Sequence, residues 1–140
     1  MKIQRVLFAL AAAGLATGAS AQVKPEDQIK LRKAGYAFMS WNMGKIKQQV
    51  IDNPGSFNKD QVLAAANVIA ATANSGMGAL YGPGTDKDLG SQKTRVKPEF
   101  FQQPDEVKKL ALAFIKEANE LQKVAAGGDA GAIKAQFGKT

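Results

Sequence analysis

The chain has 140 residues, enough for a single domain around one hydrophobic core. It carries a net charge of +7 and contains no cysteine and no histidine. That composition excludes a disulfide framework, a His-based triad or general base, most zinc sites, and a haem ligated by a histidine of these residues.

Residues 1–21 read as a secretory signal peptide rather than as part of the fold. Lys2 and Arg5 form a charged start, Val6 to Leu15 is a short apolar run, and Ala19-Ser20-Ala21 is a small-x-small cleavage site. The apolar run is too short to serve as a membrane anchor. Gln22 then begins an exported mature chain of one domain, residues 22–140. Lys2 and Arg5 are the only charges in the leader, so the balance falls from +7 to +5 without them. The remaining positives are scattered, which suits a solvated surface and gives no nucleic-acid footprint.

Pro25 to Asp52 reads as one long helix. Pro25 suits the first helical position, Glu26 and Asp27 face the positive end of the helix dipole, and Asn53-Pro54-Gly55 stops it. Ile29, Arg32, Tyr36, Met39, Met43, Ile46 and Val50 recur at spacings of three and four, the seam of a bundle helix. Arg32 breaks the pattern by placing a permanent charge on the face to be buried. Either that turn of the seam is wet, or something anionic lies opposite Arg32. A second stripe, Leu31, Ala34, Phe38 and Trp41, lies off the seam and suits self-association.

The second helix is predicted over residues 58–74, with Asn58 and Gln61 in a capping-box pattern and Val62, Ala66, Ile69 and Ala73 as its apolar face. From Ser75 to Gln103 the periodicity dissolves. A loop of this length is functional or mobile, with Asp86 to Lys97 as its mobile part, while Met77, Leu80, Tyr81, Phe100 and Phe101 can fold its ends onto the bundle. The third helix is predicted over 104–126, with Val107, Ala111, Phe114, Ala118, Leu121 and Ala125 as its seam. Asp129 caps a fourth that has about eight residues before Gly138. The result is an all-α, up-down antiparallel four-helix bundle with an incomplete fourth helix, as if its C-terminal end were missing.

Two other chemistries fit less well. Met39, Met43 and Met77 could bind Cu(I) through their thioethers, but methionines on a helical seam usually serve packing. Glu117 and Glu120 lie off the seam among lysines and suit a solvated face better than acid–base or di-metal work.

Several stretches resemble cytochrome c′, the four-helix-bundle class of c-type cytochromes, whose architecture is a standard example of an up-down bundle. They are KPEDQIKLRKAGYAFM at the first helix, YGPGT at Tyr81–Thr85, KPEFF at Lys97–Phe101 and DAGAIKAQFGKT at the last helix. The resemblance covers residues 22–140. It implies a periplasmic haem c protein of electron transfer or diatomic gas binding rather than an enzyme, acting with a redox partner protein. It also implies a homodimer through the first two helices, which agrees with the stripe Leu31, Phe38 and Trp41. By the same resemblance Arg32 lies near a haem propionate, Tyr36 lies over the iron, and Lys33 and Thr94 lie at the haem edge. The family attaches haem through a Cys-x-x-Cys-His motif, and no cysteine or histidine here can replace it. A haem-free periplasmic helical bundle that binds a protein through the Leu31–Trp41 stripe is the alternative. The expected cleft is lined by Tyr36, Met39, Phe114 and Phe137, with Arg32 at its mouth.

Overall fold

The computed structural model describes residues 22–140, and the predicted signal peptide lies outside them. The helices are α1 (Pro25–Lys47), α2 (Lys59–Ala73), the single turn α3 (Glu99–Gln102), α4 (Pro104–Gly127) and α5 (Ala130–Phe137). A π-helical turn, Gln48–Asp52, continues α1, so the first rod ends where Asn53-Pro54-Gly55 predicts. Among the described residues the only β pairing is one isolated bridge, Leu89 with Gln92. No helix there is long and apolar enough to cross a membrane.

The ends of the helices follow from local chemistry. Pro25 and Pro104 open α1 and α4, each followed by two acidic residues in the first turn. Asn58 Oδ1 accepts the Gln61 N–H at 3.0 Å, and Asp129 Oδ1 accepts the Ala132 N–H at 2.6 Å. The return bond of a capping box is missing from Gln61. Gln49 makes it instead, its Oε1 accepting the Asn58 N–H at 2.8 Å. The π turn allows this by placing Gln49 and Val50 on the buried side together. Gly128, at φ 80°, ends α4 in the left-handed conformation that favours glycine and donates to the carbonyls of Val124 and Ala125.

Side-chain pairs give the helix directions. Gln49 reaches Gln61 at the start of α2, while Gly35 lies beside Met77 and Thr72 at its end, so α1 and α2 are antiparallel. Asn74 donates to Asn119 at 2.7 Å and Gln122 to Asn67 at 2.9 Å, which makes α2 and α4 antiparallel as well. A short turn at Gly128-Asp129 folds α5 back onto α4. There Gln136 Nε2 donates to the Glu117 carboxylate at 2.7 Å. The fold is the expected all-α bundle.

The core is concentrated where α1, α2, α4 and the short α5 run together. Ile46, Val50, Val62, Ala66, Ile69, Leu121 and Ile133 are buried there, and the alanines at 65, 66, 118 and 125 let the helices approach closely. Burying one Ile or Leu contributes about 1.5–3 kcal/mol, so this cluster dominates the apolar stabilisation. The α4 seam divides at its middle. Ala118, Leu121 and Ala125 are buried, while Val107 and Phe114 are partly covered and Ala111 is exposed. The lengths explain the division. At 1.5 Å per residue α5 runs only about 12 Å against about 36 Å for α4, so it covers one end of α4.

Candidate functional site

A cavity of about 770 Å³ lies along the part of α4 that α5 does not cover. Tyr36, Met39 and Met43 of α1 form one wall, and Val107, Leu110, Ala111 and Phe114 of α4 another. Ile69 and Ala73 of α2 reach its floor, and Met77, Tyr81 and Phe100 come from the two ends of the 75–103 connection. Its size falls in the range of small-molecule sites, and its lining is apolar, as theirs are. The expected Tyr36, Met39 and Phe114 line it. Phe137 is not among its lining residues; it packs against the core cluster instead, four residues on from Ile133 and on the same face of α5.

Arg32 is not at the mouth of this cavity. It lines a second, smaller hollow together with Lys33, Tyr36, Lys93, Thr94, Arg95 and Val96. The two cavities share Tyr36, Ser40 and Tyr81. Arg32, Lys33, Tyr36 and Thr94 are therefore brought together around one hollow, although Thr94 is 62 residues from Arg32.

Neither of the two environments expected for Arg32 is found. Its side chain is 3% exposed, so the turn is not wet, and its partners are neutral. One guanidinium nitrogen donates to the Leu80 carbonyl at 3.1 Å and to Thr85 Oγ1 at 2.8 Å. The other donates to the Thr85 carbonyl at 2.5 Å and to Thr94 Oγ1 at 2.7 Å. The guanidinium also lies over the Tyr81 ring, 4.6 Å from its centroid. A planar, always-charged fork suits this work, since one lysine ammonium could not reach so many acceptors at these angles.

The long connection is thus tied down rather than loose, and α1 provides the anchor points. Glu26 accepts the Ser91 N–H at 3.2 Å. Gln28, buried, accepts the Gly82 N–H at 2.8 Å and donates to the Val23 carbonyl at 2.8 Å. Glycine at 82 leaves room for this approach, since a Cβ would sit 2.7 Å from Gln28 Oε1 and the amide would have to move. Thr85 is fully buried, and its hydroxyl passes the Arg32 bond on to the Gly82 carbonyl at 2.8 Å. Asp88 caps the far side by accepting the Thr94 N–H at 2.9 Å, and that bond, with Lys93 beside it, holds its carboxyl below the usual carboxylate range. Sequence reasoning missed Glu26, Gln28 and Thr85 as a set, although Gly82 and Thr85 stand in the YGPGT stretch that carried part of the resemblance.

Tyr36 and Tyr81 stand where the two cavities meet. The Tyr81 hydroxyl donates to that of Tyr36 at 3.2 Å, and the Tyr81 ring stacks on Phe100 at 4.5 Å between centroids. Burial pushes the Tyr81 phenol well above its ordinary value of 10.0, the bond to Tyr36 adds to this, and the Arg32 charge opposes it.

These residues fit a haem in part. The apolar cavity suits a flat apolar ring, and Lys33 and Arg95 in the joined hollow suit its carboxylates. The ligation does not fit. Residues 1–140 contain no cysteine for a thioether and no histidine for the iron. Among the described residues no group of three acidic, Cys or His side chains could hold a metal ion.

The comparisons agree with the residues that carried the resemblance. The family model for cytochrome c′ matches residues 27–140. The cytochrome c′ of Allochromatium vinosum is 60% identical over 130 residues, covering 92% of this chain and 82% of that protein. A solved structure described as a cytochrome c′ with an unusual ligand-controlled dimer dissociation superposes with a TM-score of 0.81 at 60% identity, over 85% of this chain and 88% of the other. The cytochrome c′ of Thermochromatium tepidum superposes with a TM-score of 0.80 at 58% identity and the same coverage. Four packed helices, a tethered connection over an apolar cavity and a family match across residues 27–140 lead to one conclusion: this chain belongs to the cytochrome c′ family.

Proposed function

We propose that the larger cavity is the haem-facing wall of an exported cytochrome c′ that works in electron transfer or diatomic gas binding in the periplasm. The observation that carries this reading is the position of the cavity, against the half of the α4 seam that α5 leaves uncovered, with Tyr36 and Tyr81 at its junction with a basic hollow. Bound haem would supply an iron that changes redox state or takes a gas molecule. The protein's own part is to exclude water and to orient. Met39, Met43, Leu110 and Phe114 offer an apolar contact surface, and Tyr36 narrows one side. Lys33 and Arg95 would meet the propionates. Arg32 would act on them at longer range, because both of its terminal guanidinium nitrogens are already used by the connection. Thr94, which takes one of those bonds, fixes the edge of the hollow. Covalent attachment would need cysteine and histidine side chains that residues 1–140 do not contain.

A homodimer through α1 belongs to the same reading. Leu31, Phe38 and Trp41 are each about half exposed on one side of that helix. Phe38 stacks on Trp41 at 5.7 Å, and Lys45 lies 4.2 Å over the Trp41 ring, so the aromatic part of this stripe is held in one arrangement. The relative described by its ligand-controlled dimer dissociation supports a dimer, and the exposed stripe supports α1 as its face.

The test is a haem titration of the mature chain followed by absorption. A sharp Soret band saturating at one haem per chain is expected. Broad, weak binding without a stoichiometric end point would refute the pocket and favour a haem-free interaction module. A chain extended after Thr140 by a segment bearing Cys-x-x-Cys-His should then hold haem covalently in a maturation-competent host.

A further inference from the structure

Two phenols meet where the larger cavity opens onto the smaller hollow. The two spaces share Tyr36, Ser40 and Tyr81, and the Tyr81 hydroxyl is bonded to that of Tyr36. These are the only tyrosines of the chain, and they are held very differently.

Tyr81 is fixed from several sides. Its N–H donates to the Gly78 carbonyl at 3.2 Å, and the carbonyl just before it, that of Leu80, accepts from Arg32 at 3.1 Å. Its ring stacks on Phe100, 4.5 Å between centroids, and the Arg32 guanidinium lies 4.6 Å from its centroid. Phe100 in turn meets Phe101 edge to face at 5.2 Å.

Tyr36 has much less support. It stands on α1 half exposed, and among the described residues its hydroxyl has one hydrogen-bond partner, Tyr81 at 3.2 Å. A tyrosine on a helix has two open χ1 wells, at about 180° and about −60°, and a half-exposed ring can exchange between them. Burial raises the Tyr81 phenol and the bond to Tyr36 adds to this, as expected of the partner that donates. Tyr81 therefore keeps its proton at neutral pH, and the bond to Tyr36 persists there.

We propose that Tyr81 is a positioning residue: its hydroxyl holds the Tyr36 ring in one of its two wells, and so sets how much of the larger cavity that ring leaves free for a small ligand. This inference rests on the reading of that cavity as the haem-facing wall. The restraint itself belongs to the chain without haem and is tested there first.

The experiment is carbon-13 NMR of the mature chain labelled at tyrosine, with Tyr81→Phe as the variant. Phenylalanine keeps the stack on Phe100 and removes only the hydroxyl, so the fold should persist, and helical circular dichroism checks this. With two tyrosines in the chain, the signal left in the variant is that of Tyr36. Three-bond couplings across its χ1 should report one well in the unmodified chain and an average of two in Tyr81→Phe. Zinc protoporphyrin is then added to both. The Tyr36 ring signals should take a large ring-current shift in the unmodified chain. That shift should fall about twofold in Tyr81→Phe, where the ring divides its time between the wells. The Met39 and Met43 methyl shifts should be the same in both chains. A Tyr36 already averaged in the unmodified chain, one that stays in a single well in Tyr81→Phe, or an equal porphyrin shift in the two would each overturn the proposal. Methionine methyls that move in neither chain would sink the haem reading instead, and the χ1 couplings would still decide for or against Tyr81.

Discussion

Removing the Arg32 guanidinium should release the connection between α2 and α4 from the bundle. The side chain donates four hydrogen bonds, to Leu80, Thr85 twice and Thr94, and lies over Tyr81. At about 1 kcal/mol net for each bond, the four amount to about 4 kcal/mol. The cation–π contact adds about 1 kcal/mol. Two effects reduce the total. The variant no longer bears the cost of burying a charge, and the loosened carbonyls and hydroxyls can return to water. Arg32→Ala should therefore lose about 3 kcal/mol, the larger part of the gross sum surviving these offsets. Arg32→Lys should lose about 2 kcal/mol, because an ammonium cannot span Thr85 and Thr94 together. Urea unfolding gives these differences from the shift in midpoint. Hydrogen exchange locates them: the amides of Gly82, Ser91 and Thr94, bonded to Gln28, Glu26 and Asp88, should lose protection while those of Leu121 and Ile133 keep it. A loss under about 1 kcal/mol with the three amides still protected would refute the anchoring role of Arg32.

The remaining expectations follow from single contacts. The Tyr81 pKa is raised in the folded state, so its stabilisation is fully present below pH 10.0 and is lost as pH rises through the folded value. Stability measured against pH should fall on the alkaline side, and Tyr81→Phe, which keeps the stack on Phe100, should flatten that fall; an unchanged slope would show that Tyr81 is not its source. Ile133 is fully buried between α5 and the core, so Ile133→Ala should cost about 3 kcal/mol in urea unfolding, and a cost below about 1 kcal/mol would mean that α5 is not firmly docked. Phe38→Asp should shift the chain towards monomer in sedimentation equilibrium, and an unchanged mass would count against dimerisation through α1.

The helices were legible because each carries its own signals. Pro25 and Pro104 with their following acids, Asn58, Asp129 and the Gly127-Gly128 pair mark starts and stops by chemistry that acts within a turn. The buried half of the α4 seam was legible for the same reason, since Ala118, Leu121 and Ala125 keep the period of a helix. The connection from Ser75 to Gln103 was not, because its order comes from distant partners. Nothing local to Thr85 or Ser91 reports that Arg32 and Glu26, more than fifty residues earlier, will bind them. The lone charge at Arg32 suggested either a wet turn or an anion opposite it, and neither is found, because periodicity does not reveal that the connection brings a set of carbonyl and hydroxyl oxygens there. Tyr36 shows the opposite limit. It occupies a seam position and is nevertheless 47% exposed, because it lines the two cavities rather than the packed core. Phe137 departs from expectation for a similar reason: helix phase alone did not say whether it faces the cavity or the core.

The haem-site assignment is tested most directly by the methionine methyl groups. Met39, Met43 and Met77 all line the larger cavity, whereas Leu121 and Ile133 are buried in the core away from it. Carbon-13 methyl spectra of the mature chain should be recorded during titration with zinc protoporphyrin, a diamagnetic stand-in for haem whose ring current shifts nearby methyl resonances. All three methionine methyls should move and saturate together at one porphyrin per chain, while the Leu121 and Ile133 methyls stay in place. Methionine methyls that remain fixed at saturation, or core methyls that move as far as they do, would contradict the site.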